Sequence, residues 1–306
     1  MKNKKTTLPL LMVGIGIILF SVGDACFKVL TSIGINWWDF LVFGVPFEIL
    51  TIFIIALVSK NFDRQKVYQE LMPKKFTFPV LRGVISILAI ASLFISLKEL
   101  PLSITTMLIQ TTPIWMGLIS LFSYNEKPSY LTIISIFLGM IGIVIIVNPT
   151  VEYNEASKFL IFPIIVALIN ALMNLIITKR PHDAKPMSYA LVLFILNGFA
   201  GLIIWIYFGY KLPNLHQLIL ISVSGFIGAI AFLFVSYGYS IARGHFARTG
   251  VMGYIQLPSA VLLGILFFNE SPPLIAYFGC VLITVSYTHL RAHETLRYLV
   301  CRLLLE

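Results

Sequence analysis

Two carboxylates stand in stretches that are otherwise apolar: Glu48 in "FGVPFEILTIFIIALV" and Asp24 in "IILFSVGDACFKVL". If these runs cross a bilayer, a charged carboxylate near mid-span costs roughly 2.5–3.5 kcal/mol on insertion scales. Glu48 therefore has two functional readings: binding a cationic atom of a solute or, held neutral, carrying a coupled proton. Its bland readings are a hydrogen bond to a neighbouring helix and support of a kink at Pro46. Asp24 has Lys28 four residues on, a spacing that makes either a structural ion pair or a binding or gating pair.

Amides form the second group. Asn170 and Asn174 share one helix face, and Asn197 lies near the middle of the next apolar run; at such depth amides either hold helices together or bind ligand. Gln110 and Gln256, with Trp115 and Tyr237, are candidates to line a pocket in which an aromatic face would suit an apolar or cationic group. For Trp115, packing is the competing role. Pro113 and Pro258 each remove a backbone donor and free a carbonyl one turn earlier, which makes a hinge in a gating helix or a static bend.

The elements that hold these residues follow from composition. The chain has 306 residues, 58% hydrophobic and 11% charged, with mean hydropathy +0.94, whereas a soluble domain carries about 25% charged residues. Apolar runs of about 20 residues, enough to cross a hydrocarbon core of about 30 Å, recur along the chain. They predict an all-α membrane protein with ten spans, near 8–30, 38–59, 80–98, 102–124, 130–148, 159–178, 188–209, 217–240, 248–268 and from 274. No strand alternation competes, and lipid tolerates only helices or closed barrels. The basic "MKNKK" precedes an apolar run that outlasts a signal peptide and lacks a cleavage site, so the first span is expected to be retained.

With the N-terminus cytoplasmic, fifteen lysines and arginines fall in inner segments, among them Lys60, Lys185 and Arg82, against Lys98, Lys158 and Lys211 outside. This bias predicts a multi-pass protein of a bacterial inner membrane and makes the net charge of +9 a topology signal. No nucleic-acid partner is expected, because the basic residues are dispersed over short loops. Cys26, Cys280 and Cys301 have neither a disulfide framework nor metal-ligand spacing. Nucleotide, zinc-protease and hydrolase signatures are missing, so the expectation is a non-enzyme without cofactor or metal whose work comes from a gradient.

The chain also repeats itself. "IQTTPIWMGLISLFSYNE" (109–126) returns as "YIQLPSAVLLGILFFNE" (254–270), pairing Pro113 with Pro258 and Glu126 with Glu270 at offsets of 145 and 144 residues. Around both copies the order of spans is the same, dividing the chain into five-span halves, 1–149 and 150–285. An odd number of spans forces the second copy to enter from the opposite side, so the halves are expected to be inverted repeats enclosing a midplane site, as in secondary transporters.

"SLKELPLSITTMLIQTTPIWMGLISLFSYNE", then "LGMIGIVIIV", with the second-half echo, resembles the EamA family of the drug/metabolite transporter superfamily over residues 8 to about 285. The resemblance implies ten helices, cytoplasmic termini, a central pocket, and export or uptake of a small metabolite. One departure is the second span, where many relatives carry a basic residue and this chain has "FGVPFEIL". From about residue 286 the string "SYTHLRAHETLRYLVCRLLLE" resembles translated sequencing-adapter sequence, so 286–306 is expected to be a non-native tail that truncates the tenth helix. The expected function is alternating-access transport of a small polar or zwitterionic metabolite, amino-acid-like or related, with a proton as candidate coupling ion. Efflux of cationic apolar compounds and a non-transporting scaffold or receptor are the rivals, and a homodimer is compatible with the sequence.

Overall fold

The computed structural model describes residues 3–100, 102–123, 130, 133–134, 137–138, 140–141, 156–208, 212–242, 246–268 and 278. Every regular element among these is helical. In chain order they are α1 (Asn3–Ser32), α2 (Trp37–Phe43), α3 (Val45–Ser59), α4 (Arg64–Leu71), α5 (Thr77–Glu99), α6 (Leu102–Ile109) and α7 (Thr112–Ser123). A 3-10 turn (Ala156–Leu160) leads into α8 (Ile161–Lys179), followed by α9 (Pro186–Phe208), α10 (Leu215–Ile241), α11 (Phe246–Gly250), a second 3-10 turn (Val251–Ile255) and α12 (Gln256–Phe268).

Six helices among the described residues are long and apolar enough to cross a membrane: Leu8–Ser32, Thr77–Glu99, Lys158–Lys179, Pro186–Phe208, Leu215–Ile241 and Val251–Phe268. Counting α2 and α3 as one bent span makes seven. The expected fourth span is divided into α6 and α7 at Gln110–Thr111. Apart from isolated residues, the expected fifth and tenth spans lie outside the described residues, as do Glu126, Glu270, Cys280, Cys301 and the tail.

The second span corrects an expectation. Its bend of 41° falls at Gly44, between α2 and α3, rather than at Pro46, which occupies the first turn of α3. Proline tolerates a first turn because its missing N–H has no helical partner there, while its ring excludes a continuous helix upstream. A side chain does not fit at the bend, since a Cβ on Gly44 would lie 2.7 Å from the carbonyl oxygen of Phe40.

Packing follows the logic of a lipid solvent. Phe53, Ile54, Phe199, Ile203 and Ile206 point outward, while Ser86, Ser92, Ser96, Thr105 and Asn197 are buried. With lipid outside there is no hydrophobic drive between helices, so small and hydrogen-bonding side chains let them approach. Gly201 illustrates the approach: a Cβ on it would collide with Cβ of Leu41. The main helix pairs cross between the halves of the chain: α1 lies along α10, α5 against α8 and α9, and α9 against α2 and α3.

Candidate functional site

Because the two halves interleave, side chains from both face one internal cavity of about 200 Å³, room for several waters or one small organic solute. Its polar lining includes Asp24, Glu48, Arg82 and Gln110 from the first half and Asn170, Asn174, Asn197 and Gln256 from the second. Phe20, Phe27 and Phe232 contribute apolar walls. Local structure explains how each polar group arrives there.

The break at Gly44 directs Glu48, in the first turn of α3, toward α10. Two glycines of α10 accept it: a Cβ on Gly225 would lie 2.9 Å from the carbonyl oxygen of Gly44, and one on Gly228 would lie 3.5 Å from Oε1 of Glu48. Glu48 is 6% exposed.

Asp24 lies on α1, and its Oδ2 accepts a hydrogen bond from Nε2 of Gln256 at 2.6 Å. Gln256 Oε1 in turn accepts from Nε2 of Gln110 at 2.6 Å, and Ser21 Oγ donates to the Gln256 backbone carbonyl at 3.2 Å. The two glutamines in corresponding positions of the repeated stretches therefore meet, and Asp24 extends their contact into α1. This revises the partner expected for Asp24, since its carboxylate is held by Gln256 while the Lys28 ammonium stands over the Phe268 ring, 4.9 Å from its centre. The local i, i+4 rule loses to a contact 232 residues away.

Asn197 Oδ1 lies 2.8 Å from Ser86 Oγ, whose one hydroxyl hydrogen is shared between this contact and the Gly83 carbonyl at 2.7 Å, and Asn197 Nδ2 has no partner among the described residues. It thus ties α9 to α5 with one end and leaves a donor over for the cavity it lines. Asn170 and Asn174 line the same cavity from α8.

Two expected pocket residues sit elsewhere. Trp115 packs against the apolar cluster that includes Met116 and Phe246. Tyr237 donates from its hydroxyl to Oε1 of Glu70 at 3.1 Å. Glu70, on the short α4, also pairs through Oε2 with Lys185 at 2.9 Å and Lys60 at 3.0 Å. Burial raises the Glu70 pKa, but the hydrogen bonds and charges of Lys185 and Lys60 outweigh it and leave the group below the ordinary glutamate value. Tyr237 belongs to this cluster, which joins both halves of the chain. Pro113 and Pro258 do not line the cavity, but each follows an interruption, Pro113 after Gln110–Thr111 and Pro258 after the 3-10 turn Val251–Ile255.

Sequence reading missed Arg82 as a site residue, counting it among the basic residues of the inner segments. In the structure it is 1% exposed and lines the cavity. A signal was present: "FTFPVLRGVISILAIASLF" is apolar on both sides of the arginine, and α5 starts at Thr77 rather than near 80. Glu70 was missed as well, though it is an isolated acid among the inner-segment lysines.

Comparison with known proteins agrees with this architecture. Two uncharacterized transporters of Helicobacter pylori strains are 27% and 26% identical over 141 residues, covering 45% of this chain and 46% of each relative. The chain thus aligns with about half the length of these curated relatives. A crystal structure 14% identical in sequence superposes with a TM-score of 0.71 over 97% of this chain and 99% of that one, a likeness of fold. The sequence profile of the EamA-like transporter family matches twice, at residues 7–148 and 157–290. Two tandem family matches, on a helical membrane protein whose halves jointly line one cavity, place this chain in the EamA-like transporter family.

Proposed function

We propose that the protein is a secondary transporter that carries a small polar or zwitterionic organic metabolite, amino-acid-like or related, through the cavity between two inverted five-helix halves. The observation that carries this reading is the lining: buried acidic and basic side chains from the first half and amides from both halves, one of them, Asn197, with an unpartnered donor, line a space of solute size. A site shared between repeats can be opened to either side by rocking one half against the other. The interruptions next to Pro113 and Pro258 are the hinges of that motion, and Gln110, Gln256 and Asp24 join the moving parts. Glu48 carries the coupled proton, because it is a buried carboxyl beside the cavity with no cationic partner among the described residues.

Flux in proteoliposomes tests the reading. Labelled amino acids should accumulate under an imposed gradient, and Glu48→Gln should abolish the dependence of that flux on a proton gradient. An unchanged pH dependence removes Glu48 from the mechanism, and a lack of flux for every small solute leaves the scaffold or receptor reading. Efflux of cationic apolar compounds is less well supported, since the Arg82 guanidinium lies in the same cavity and opposes a solute of net positive charge.

A further inference from the structure

We infer that Arg82 is the carboxylate-binding residue of this cavity, so that the solute carries a carboxylate; the inference rests on the transporter reading and deepens it. Arg82 is among the largest fully buried side chains of the molecule, and its guanidinium offers five N–H donors that cannot be deprotonated away. Among the described residues its one hydrogen bond is a long contact from Nη2 to Ser236 Oγ, at 3.5 Å. Nε and Nη1 are buried and have no hydrogen-bond partner among the described residues. No aspartate or glutamate forms an ion pair with it among those residues. A buried cation in that state costs several kcal/mol unless something compensates.

Aromatic rings supply part of the compensation. The guanidinium carbon lies 4.4 Å from the centre of the Phe232 ring and 5.9 Å from that of Tyr189. Rings hold the plane of the group without using its edge donors, and this leaves the fork oriented with its Nε and Nη1 donors unpartnered. Both forks, Nε with Nη2 and Nη1 with Nη2, retain an unpartnered donor. A carboxylate displacing the weak Ser236 contact would be gripped by two parallel N–H groups, the arrangement in which arginine binds carboxylates most strongly.

The remaining charges choose among anions. Glu48 and Asp24 line the same cavity, so a dianion such as phosphate would meet two carboxyl groups as well as one guanidinium. A zwitterion does not have that conflict. Glu48 faces Gly228 of α10, and Phe232, against which Arg82 rests, is one turn further along the same helix, a rise of about 6 Å. The cavity thus presents a carboxyl group and a guanidinium that contact α10 about one turn apart, suited to a solute that carries both an ammonium and a carboxylate.

The test uses the full chain in lipid nanodiscs and reads ligand-induced thermal stabilisation. The probes are the twenty common amino acids, the primary amines derived from them by decarboxylation, and the carboxylic acids derived by removal of the amine. Wild type should bind at least one amino acid and bind the corresponding amine at least tenfold more weakly. Arg82→Gln should lose that amino acid tenfold or more while binding the amine as wild type does. Arg82→Lys, which keeps the charge and loses the fork, should fall between them and serves if Arg82→Gln does not fold. An amino acid bound equally well by Arg82→Gln or Arg82→Lys and wild type overturns the proposal, as does an amine bound as tightly as its parent. Amines bound and transported with every carboxylate refused would sink the role of Arg82 and leave the transporter reading standing. No binding and no flux for any probe would sink both.

Discussion

At the residue scale, the cavity is a set of polar groups whose partners are only partly supplied by the protein. Ser86 and Asn197 show the supplied part. Removing the hydroxyl in Ser86→Ala leaves the Asn197 carbonyl without its donor, and a typical net loss is about 1 kcal/mol. The expected outcome is a melting temperature a few degrees lower with the fold intact, measured on detergent-solubilised protein. Gly228 probes the unsupplied part. A methyl there would stand at ordinary contact distance, 3.5 Å, from the Glu48 carboxyl, so Gly228→Ala should fold yet bind solute more weakly. An unchanged affinity would place the solute away from Glu48. Asp24 teaches a lesson of the same scale: an i, i+4 lysine looks like its partner on a helical wheel, but the amide of Gln256 reaches it from another helix.

At the scale of elements, breaks in helices do the positioning. Gly44 and Pro46 together divide the second span, with the glycine bending and the proline starting the new helix, and this turn aims Glu48 at α10. Gln110 and Gln256 sit at two further interruptions and bond to each other. A double-mutant cycle with Gln110→Ala and Gln256→Ala should show a coupling of about 1 kcal/mol in thermal stability, within the range for residues sharing one network. Additive effects would mean that the contact does not join these elements. The short α4 makes a separate joint. Its Glu70 has a pKa below the ordinary glutamate value when folded, so the cluster with Lys60, Lys185 and Tyr237 stabilises the fold above that ordinary value of 4.5 and loses its contribution as pH falls below it. Glu70→Gln should lower the melting temperature at pH 7 and have little effect near pH 3. The lysines are partly exposed, so the contribution is about 1 kcal/mol or less.

At the scale of the molecule, the contacts between the two halves explain why the site cannot exist in one of them. Glu48 and Arg82 come from the first family match, while Gly228, Phe232 and Ser236 that receive them come from the second. Glu70 gathers Lys60 from one half and Lys185 from the other, so these lysines share a face of the protein. Cysteines introduced at 60 and 185 should accordingly be labelled by an impermeant reagent from one side of the membrane, and a cysteine at Lys98 from the other. Labelling of 60 and 185 from opposite sides would contradict the arrangement.

The sequence alone determined the solvent, the helical class, the positions of most spans and the existence of two related halves, because hydropathy and internal repetition are written into consecutive residues. It also picked out Asp24, Glu48, Gln110, Asn170, Asn174, Asn197 and Gln256, since a polar side chain in an apolar run stands out without knowledge of its neighbours. Tertiary structure decided what those residues face. It moved Tyr237 to Glu70 and Trp115 into an apolar cluster, and it turned Arg82 from one basic residue of an inner segment into a cation inside the cavity. The physical reason is that the burial of a charge depends on groups brought from distant parts of the chain: Ser236, which meets Arg82, is 154 residues away, and no local pattern encodes that meeting.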